Sequence, residues 1–231
     1  MRLTVLDSHQ PGQAFPPLHK ALTEPDGLLA IGGCLSKERL LTAYRHGIFP
    51  WYNKGEPILW WSPNPRLALA PENLIISRSL HKTLRKNTFT VTFDHAFTEV
   101  ITACAEPRKE GTGTWITDDI AQAYNTLHKS GYAHSVEAWL DGQLVGGLYG
   151  IALGRVFFGE SMFHIKTDAS KVVFASLVKQ LEVWNYQLID CQVHTAHLAG
   201  FGAINYDRNH FIELLNQYCD LPPDSSAWQS Q

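Results

Sequence analysis

Apolar positions with helical spacing, bounded by capping and terminating residues, predict four helices in this chain. The first runs from Ser36, whose hydroxyl can cap the first turn, to Gly47, which can end the helix in a left-handed turn. The second runs from Asp118 to Lys129, because its acidic residues come first and its basic residues last. Capping aspartates predict two further helices, at about 168–184 and 207–218.

Between residues 133 and 163 the pattern changes to extended apolar runs, which predict β-strands. Asp141 and Gly142 stand where a tight hairpin turn belongs, and Gly154 with Arg155 marks the next turn. The short apolar run LIDCQV, residues 188–193, predicts another strand that follows a helix. An antiparallel meander, a crossing helix and a further strand predict an α+β or mixed α/β domain.

The first 65 residues have a different pattern, because prolines recur there at turns between short elements. We therefore predict a small amino-terminal domain at 1–65 and a larger domain at 66–231. The carboxy-terminal segment LPPDSSAWQSQ is predicted to be loose.

Composition narrows the class of protein. A chain of 231 residues can bury a full core, and its four cysteines show neither a zinc-binding spacing nor a disulfide framework. The amino terminus lacks the apolar stretch of a secretory signal, and the run VGGLYGIALG is about half the ~20 residues of a membrane helix. These observations predict a soluble cytoplasmic protein without a membrane partner.

Two carboxylates and one amide are the candidates for catalysis. In LIDCQV, strand alternation places Asp190 and Gln192 on one face and Cys191, predicted to be core, on the other. Asp190 either orients Gln192 to accept a hydrogen bond from an attacking amine, or caps a loop. Glu160 lies amid residues expected to be buried, so it either receives a cationic substrate or forms a salt bridge or helix cap.

A net charge of −3 gives no global attraction to nucleic acid, so any contact with RNA must be local. The segment RSLHKTLRK, as a helix, carries its basic residues on one face, where they either bind phosphates or are merely solvated. Tryptophans and tyrosines at 51, 52, 60 and 61 either stack RNA bases or pack in the core. The predicted tRNA-binding residues are Arg78, Lys82, Arg85 and Lys86.

Six segments occur in the order EPDGLLAIGG (24–33), GIFPWY (47–52), WWSPNPR (60–66), GTWIT (113–117), GESMF (159–163) and LIDCQV. Together they closely resemble the leucyl/phenylalanyl-tRNA protein transferase family, over about residues 24 to 198. The resemblance implies a small amino-terminal domain packed on a larger GNAT-like acyltransferase domain, with a central, mostly antiparallel sheet. Peptide bonds would form between the two domains.

The same resemblance implies a reaction. Leucine or phenylalanine, and less readily methionine, would move from tRNA to proteins that begin with arginine or lysine, marking them for degradation by the N-degron (N-end rule) route. The implied partners are leucyl-, phenylalanyl- and methionyl-tRNA and these acceptor proteins. Because the aminoacyl ester is already activated, no ATP, cofactor or metal is implied, and catalysis is largely a matter of proximity and orientation.

The resemblance also assigns roles to residues. Asp190 would polarise Gln192, which would draw the proton of the acceptor amine, while Glu160 would hold or orient that amine. Because Asp190 is predicted to lie beside Gln192 on one face of its strand, replacing Asp190 by Ala is expected to reduce transfer severely without unfolding the protein. The substrate-binding residues implied are two tryptophans that border the aminoacyl-adenosine pocket and two apolar lining residues: Trp51, Trp115, Met162 and Phe163.

Two departures from the family pattern leave these candidates intact: Cys34 replaces a usual aspartate, and AGFGAINYDR at 199–208 differs from the familiar run. One alternative is a GNAT-fold acyltransferase with another donor, such as a CoA thioester. It is disfavoured because HIKTDASK, at the start of the central helix, has no glycine for a phosphate loop. The other is a catalytically inactive aminoacyl-tRNA binding module, which the retained catalytic candidates disfavour.

Overall fold

The computed structural model describes residues 3–106 and 114–229. The strands are β1 (Thr4–Leu6), β2 (Leu28–Gly32), β3 (Phe49–Pro50), β4 (Leu59–Trp61), β5 (Arg66–Leu69), β6 (Thr90–Phe93), β7 (Ala133–Leu140), β8 (Gln143–Leu153), β9 (Val156–His164), β10 (Leu188–Gln192) and β11 (Ile204–Tyr206). The helices are α1 (Lys37–Arg45), α2 (Arg78–Arg85), α3 (Phe97–Ala105), α4 (Asp118–Lys129), α5 (Ala169–Val183), α6 (Ala196–Ala199) and α7 (Arg208–Tyr218).

The described strands form two sheets. The smaller sheet has the order β1-β2-β4-β3, and the larger has the order β11-β5-β10-β9-β8-β7-β6. In the larger sheet, neighbouring strands are antiparallel except β9 and β10, which run parallel. The α+β class with a central, mostly antiparallel sheet is therefore confirmed.

The predicted domain boundary between residues 65 and 66 falls between the two sheets. One apolar cluster nevertheless continues across it, because Leu40 and Trp60 pack in the same cluster as Val100 and Tyr124. The two halves of the chain thus share a core, and the division into domains stays a prediction.

Two of the three predicted helix caps are confirmed. Ser36 Oγ accepts a hydrogen bond from Arg39 N, and Asp207 accepts one from Asn209 N. The helix α4 has the predicted bounds, with Thr117 as its cap. Gly47 follows α1 with φ of +69°, the left-handed conformation that its position requires.

The third capping prediction, at Asp168, is wrong. Asp168 does stand at the amino-terminal cap position of α5, but its φ is +66° and its side chain makes no capping hydrogen bond. The carboxylate instead binds Lys171 Nζ at 2.8 Å and accepts a bond from Thr83 Oγ1 at 3.3 Å. A neighbouring cation and a hydroxyl on α2 thus replace the helix amides as its partners.

Both predicted strand turns are confirmed. Asp141 and Gly142 join β7 to β8 with φ of +51° and +76°. Positive φ at both residues matches a two-residue type I′ hairpin turn. Gly154, with φ of +54°, begins the turn between β8 and β9. The central meander is therefore fixed by local signals at its two corners.

The prediction that the carboxy-terminal segment is loose is wrong for its described part. The ring of Trp228 stacks on His134 with a centroid distance of 4.0 Å and lies 4.8 Å from the ring of Trp184. Its Nε1 donates to the hydroxyl of Tyr186 at 2.8 Å. The Trp228 ring, together with hydrogen bonds from Asp224 N to the Trp184 carbonyl and from Arg155 Nε to the Pro222 carbonyl, anchors this polar segment to the core.

Two apolar clusters cover the two faces of the larger sheet. One face packs against α1, α3, α4 and α7, and the other packs against α2 and α5. Within the described residues, no helix is both long enough and apolar enough to cross a bilayer.

Candidate active site

The site lies where the two parallel strands of the larger sheet separate. The β9–β10 ladder ends with the pair Phe158 and Asp190, and Glu160 and Gln192 follow two residues later on their strands. Register shifts occur at this level on both strands, opposite β8 for β9 and opposite β5 for β10. Gln192 has φ of +60°, a conformation that is costly for a residue with a side chain and that concentrates at functional sites.

A buried ion pair lies where β9 and β10 separate. Asp190 is fully buried and Arg66, on β5, is 1% exposed. The guanidinium binds the carboxylate in a fork, with Nε–Oδ1 at 2.8 Å and Nη2–Oδ2 at 2.6 Å. Arg66 also donates to the carbonyl of Gly47 and stacks on Phe49, so the pair joins the catalytic sheet to the pocket wall.

Asp190 therefore acts differently from the prediction. Its carboxylate does not touch the Gln192 side chain; Oδ1 accepts a hydrogen bond from the Gln192 backbone nitrogen at 2.9 Å. The expected polarisation of the amide is replaced by a contact that holds the backbone in its left-handed turn. The alternative in which Asp190 binds local backbone describes this contact better.

The Gln192 side chain is instead held by Glu160. Gln192 Nε2 donates to Glu160 Oε1 at 2.9 Å. Tyr44, on α1, donates to the same oxygen at 2.8 Å, and Tyr124, on α4, donates to Oε2 at 3.0 Å. The two tyrosine hydroxyls also contact each other. Both residues sit on the apolar faces of their helices and are fully buried.

These surroundings change the acidity of Glu160. Burial raises its pKa from the usual range to about 8, and hydrogen bonds from Tyr44 and Tyr124 oppose part of that rise. Asp190 raises and Arg66 lowers the same pKa, because their charges have opposite signs. Burial therefore favours the neutral form of this carboxyl group, and its role as a resident anion that attracts a cationic substrate stays a prediction.

A cavity of about 200 Å³ opens in front of this network. Aromatic and aliphatic side chains form its walls, and Glu160 and Gln192 supply its polar groups. The lining residues are Phe49, Pro50, Trp51, Trp115, Glu160, Gln192 and Val193. Trp51 is 47% exposed, and its ring packs against that of Trp61 with a centroid distance of 5.7 Å. Trp61 Nε1 donates to the Trp51 carbonyl.

The cavity brings together four of the seven predicted catalytic and substrate-binding residues: Trp51, Trp115, Glu160 and Gln192. Met162 and Phe163 lie beyond Glu160 on β9 and pack into the two apolar clusters on opposite faces of the sheet. The cavity wall thus gives no support to their predicted lining role. Cys191 is half-buried against the α5-side cluster, and burial raises the pKa of its thiol, as expected of a core residue. Gly113, which opens GTWIT, lies outside the described residues.

The basic segment forms α2 and its carboxy-terminal cap, as predicted. Leu80 is buried and Leu84 is half-buried against the sheet, so the opposite face is turned to solvent. The exposed cations of that face form no ion pair with a described residue: Arg78, Lys82, Arg85 and Lys86.

Sequence reasoning missed three residues of the site. Arg66 appeared only as the last letter of WWSPNPR, although a buried arginine requires a carboxylate partner. Tyr44 and Tyr124 had a signal as well, because each lies on the apolar stripe of its helix, and a buried tyrosine hydroxyl needs a hydrogen-bond partner. Neither signal identifies the partner, which lies 124 positions away for Arg66, 116 for Tyr44 and 36 for Tyr124.

Comparisons with known proteins identify the family of this chain. The family model of leucyl/phenylalanyl-tRNA protein transferase matches residues 68–216, and the model of that family's N-terminal domain matches residues 33–64. The leucyl/phenylalanyl-tRNA–protein transferase of Methylococcus capsulatus is 56% identical over 227 residues, which are 98% of this chain and 97% of that protein.

Solved structures with a similar arrangement are more distant. L-PGS from Bacillus licheniformis has a TM-score of 0.41 and 11% identity, over 70% of this chain and 52% of that chain. A GCN5-related N-acetyltransferase from Kribbella flavida has a TM-score of 0.34 and 12% identity, over 73% of this chain and 59% of that chain.

Proposed function

This chain belongs to the leucyl/phenylalanyl-tRNA protein transferase family and is an aminoacyltransferase, and we propose that it joins leucine or phenylalanine to proteins beginning with arginine or lysine. Methionine is a weaker donor in this proposal. Proteins that have received the new amino-terminal residue would enter N-degron degradation in the cytoplasm, where aminoacyl-tRNAs are used.

One observation carries the proposal: a small aromatic cavity has a fixed amide acceptor in its wall. Because Gln192 Nε2 is engaged by Glu160, the amide is oriented, and its Oε1 accepts no hydrogen bond from a described residue. That oxygen can accept an N–H of an incoming amine. The tryptophan walls suit an adenosine that carries an aminoacyl ester.

The chemistry requires little more than alignment. The amine nitrogen attacks the ester carbonyl, the carbon–nitrogen bond forms, the bond to the ribose oxygen breaks, and one amine proton ends on that oxygen. An α-amino group has a pKa near ~8, so part of it is already neutral at pH 7. A positioned acceptor such as Gln192 can therefore contribute through orientation rather than through strong basicity.

Apolar walls also explain the proposed breadth of donors. A hydrophobic cavity discriminates between side chains by only ~1–3 kcal/mol per methylene. Leucine, phenylalanine and methionine are all unbranched at Cβ, so a site that accepts the first two will admit the third at a lower rate.

The proposal is tested by the range of acceptors. Purified protein, Phe-tRNA carrying labelled phenylalanine and no ATP would be mixed with peptides that differ only in a first residue of Arg, Lys, Met or Asp. Labelling of the Arg and Lys peptides alone supports the proposal. Tight tRNA binding without labelling would favour a binding module, and equal labelling of all four peptides would contradict the acceptor class.

Trp51→Ala is expected to raise KM for Phe-tRNA by about 10- to 100-fold, because base–aromatic stacking contributes roughly 1–3 kcal/mol. Since the ring is 47% exposed, stability should change little. Steady-state kinetics with the tRNA varied measures the effect. The matched control is Val183→Ala, also at an exposed apolar position but on α5. An unchanged KM in Trp51→Ala would remove this residue from the binding site.

Neutralising the exposed face of α2 is expected to weaken tRNA binding and to flatten its dependence on salt. Each lost phosphate contact lowers the slope of log K against log salt by about 0.9 on a duplex. The variant is Arg78→Gln, Lys82→Gln and Arg85→Gln together, measured from low to moderate salt. A control with the same charge change elsewhere is Lys20→Gln, Lys37→Gln and Lys129→Gln. Equal slopes in the two variants would assign α2 to a merely solvated role.

A further inference from the structure

We infer that Glu160 is the group that takes up and returns the proton of the transfer reaction, and that Tyr44 and Tyr124 are positioning residues that let it do so without moving. The inference rests on the proposed function and specifies how its proton is carried. It departs from the role expected for Glu160 as an anion that holds the amine.

The hydrogen bonds around Glu160 need one more proton than the two tyrosines supply. Tyr44, Tyr124 and Glu160 contact one another in a closed ring of three hydrogen bonds. Each hydrogen bond needs one proton, and each tyrosine hydroxyl supplies one. The third must come from the carboxyl group of Glu160. A neutral Glu160 therefore completes the ring: its Oε2 hydroxyl donates to Tyr124, Tyr124 donates to Tyr44, and Tyr44 donates to Oε1. The bond between Tyr124 and Oε2 then runs in the opposite direction to the one it has when Glu160 is ionised.

The same surroundings also accommodate the ionised form of Glu160. If Glu160 loses its proton, both tyrosines can donate to its oxygens, and Gln192 Nε2 remains a third donor. Hydrogen bonds to a charged acceptor are the stronger kind, so they compensate for burying the charge. Glu160 thus keeps Tyr44, Tyr124 and Gln192 as partners in both protonation states, and only the hydrogen bond between the two tyrosine hydroxyls is lost when Glu160 ionises.

The charged and titratable groups around Glu160 do not strongly favour either its neutral or its ionised form. Burial raises the pKa of Glu160 to about 8, near the ~8 of an α-amino group, so proton exchange between the two is nearly balanced. The groups that face it come from α1, α4, β8, β5 and β10: Tyr44, Tyr124, Tyr149, Arg66 and Asp190. The tyrosines stay neutral because burial raises their pKa values well above the usual range. Arg66 and Asp190 form an ion pair with no net charge.

The steps balance as follows. The neutral amine attacks the ester carbonyl while Gln192 Oε1 holds one of its N–H groups. The Glu160 carboxylate takes a proton from the attacking nitrogen as the carbon–nitrogen bond forms. Glu160 then gives that proton to the ribose oxygen as the carbon–oxygen bond breaks. Nothing is oxidised or reduced, and Glu160 ends in the state in which it began.

The direct test is a carbon-13 titration of glutamate-labelled protein, with Glu160→Gln used to assign the Glu160 resonance. We expect this carboxyl group to titrate near pH 8 in the wild type. In Tyr44→Phe and Tyr124→Phe it should titrate at higher pH, because the carboxylate loses a donor that stabilises its charge. The control is Tyr149→Phe, whose buried hydroxyl has no hydrogen-bond partner in the described structure, and it should titrate as the wild type does.

Single-turnover transfer supplies the functional readout. Because the ionised carboxylate is the acceptor, the rate should rise with pH through the Glu160 titration, and both Tyr→Phe variants should move that rise upward. In Glu160→Gln the rate should fall about 10²- to 10⁴-fold and retain only the titration of the amine. Equal affinity for tRNA would show that each variant is folded.

Two failures can be told apart. Wild-type protein that transfers no phenylalanine at any pH would refute the proposed function itself. Wild-type transfer that persists undiminished in Glu160→Gln would overturn only the inference, as would a Glu160 titration that the Tyr→Phe changes leave in place.

Discussion

Asp190→Asn is expected to lower the free energy of unfolding by about 3–5 kcal/mol, because it leaves the buried charge of Arg66 without its partner. Transfer should fall with it, since the same carboxylate fixes the backbone of Gln192. Urea unfolding gives the first effect, and transfer measured well below the unfolding midpoint gives the second. This outcome reverses the sequence-based expectation that replacing Asp190 would spare the fold.

A matched control separates charge from packing. Replacing both partners, as Arg66→Met with Asp190→Leu, removes the ion pair without stranding either charge. Such replacements are often close to neutral, so the double variant should be more stable than either single variant. The assigned role of the pair would be contradicted if the double variant lost as much free energy of unfolding as the two single variants together. It would also be contradicted if Asp190→Asn had wild-type stability.

Gln192→Ala is expected to reduce the rate of transfer by about 10²-fold or more while tRNA affinity stays within twofold. The physical reason is orientation: the amide oxygen is the positioned acceptor in the cavity, and misplacing an attacking amine by about 1 Å costs a factor on the order of 10². Single-turnover transfer and equilibrium tRNA binding would be measured on the same preparation.

The control addresses the unusual backbone of this residue. Because Gln192 has φ of +60°, alanine is strained there whereas glycine is not. Gln192→Gly therefore removes the side chain without adding strain. If both variants lose transfer, the side chain is responsible; if glycine restores the rate, the amide has no part in the chemistry.

The elements that sequence predicted are those with local causes. The hairpin at Asp141 and Gly142 and the caps at Ser36 and Asp207 depend on neighbouring residues alone, and the structure confirms them. Asp168 shows the limit of such signals, because a carboxylate at a cap position took Lys171 and Thr83 as partners instead. Trp228 shows another, since a polar segment was anchored by contacts with distant strands and helices.

The sequence predicted several residues of the site but not the hydrogen bonds between them. Glu160 and Gln192 were identified as candidates, yet their mutual hydrogen bond depends on how two parallel strands separate, which no local pattern encodes. The same is true of Arg66, whose partner lies 124 positions away, and of Tyr44, which lies 116 positions from its partner. Such pairings follow from topology, and only the folded chain reveals them.

The most direct measurement of the central claim is single-turnover transfer of labelled phenylalanine from tRNA to an arginine-initiated peptide, without ATP, by the wild type and by Gln192→Gly at equal tRNA occupancy. The account predicts rapid labelling by the wild type and labelling slower by about 10²-fold or more by the variant. Equal rates in the two proteins would contradict the claim that this cavity and its oriented amide carry out the transfer.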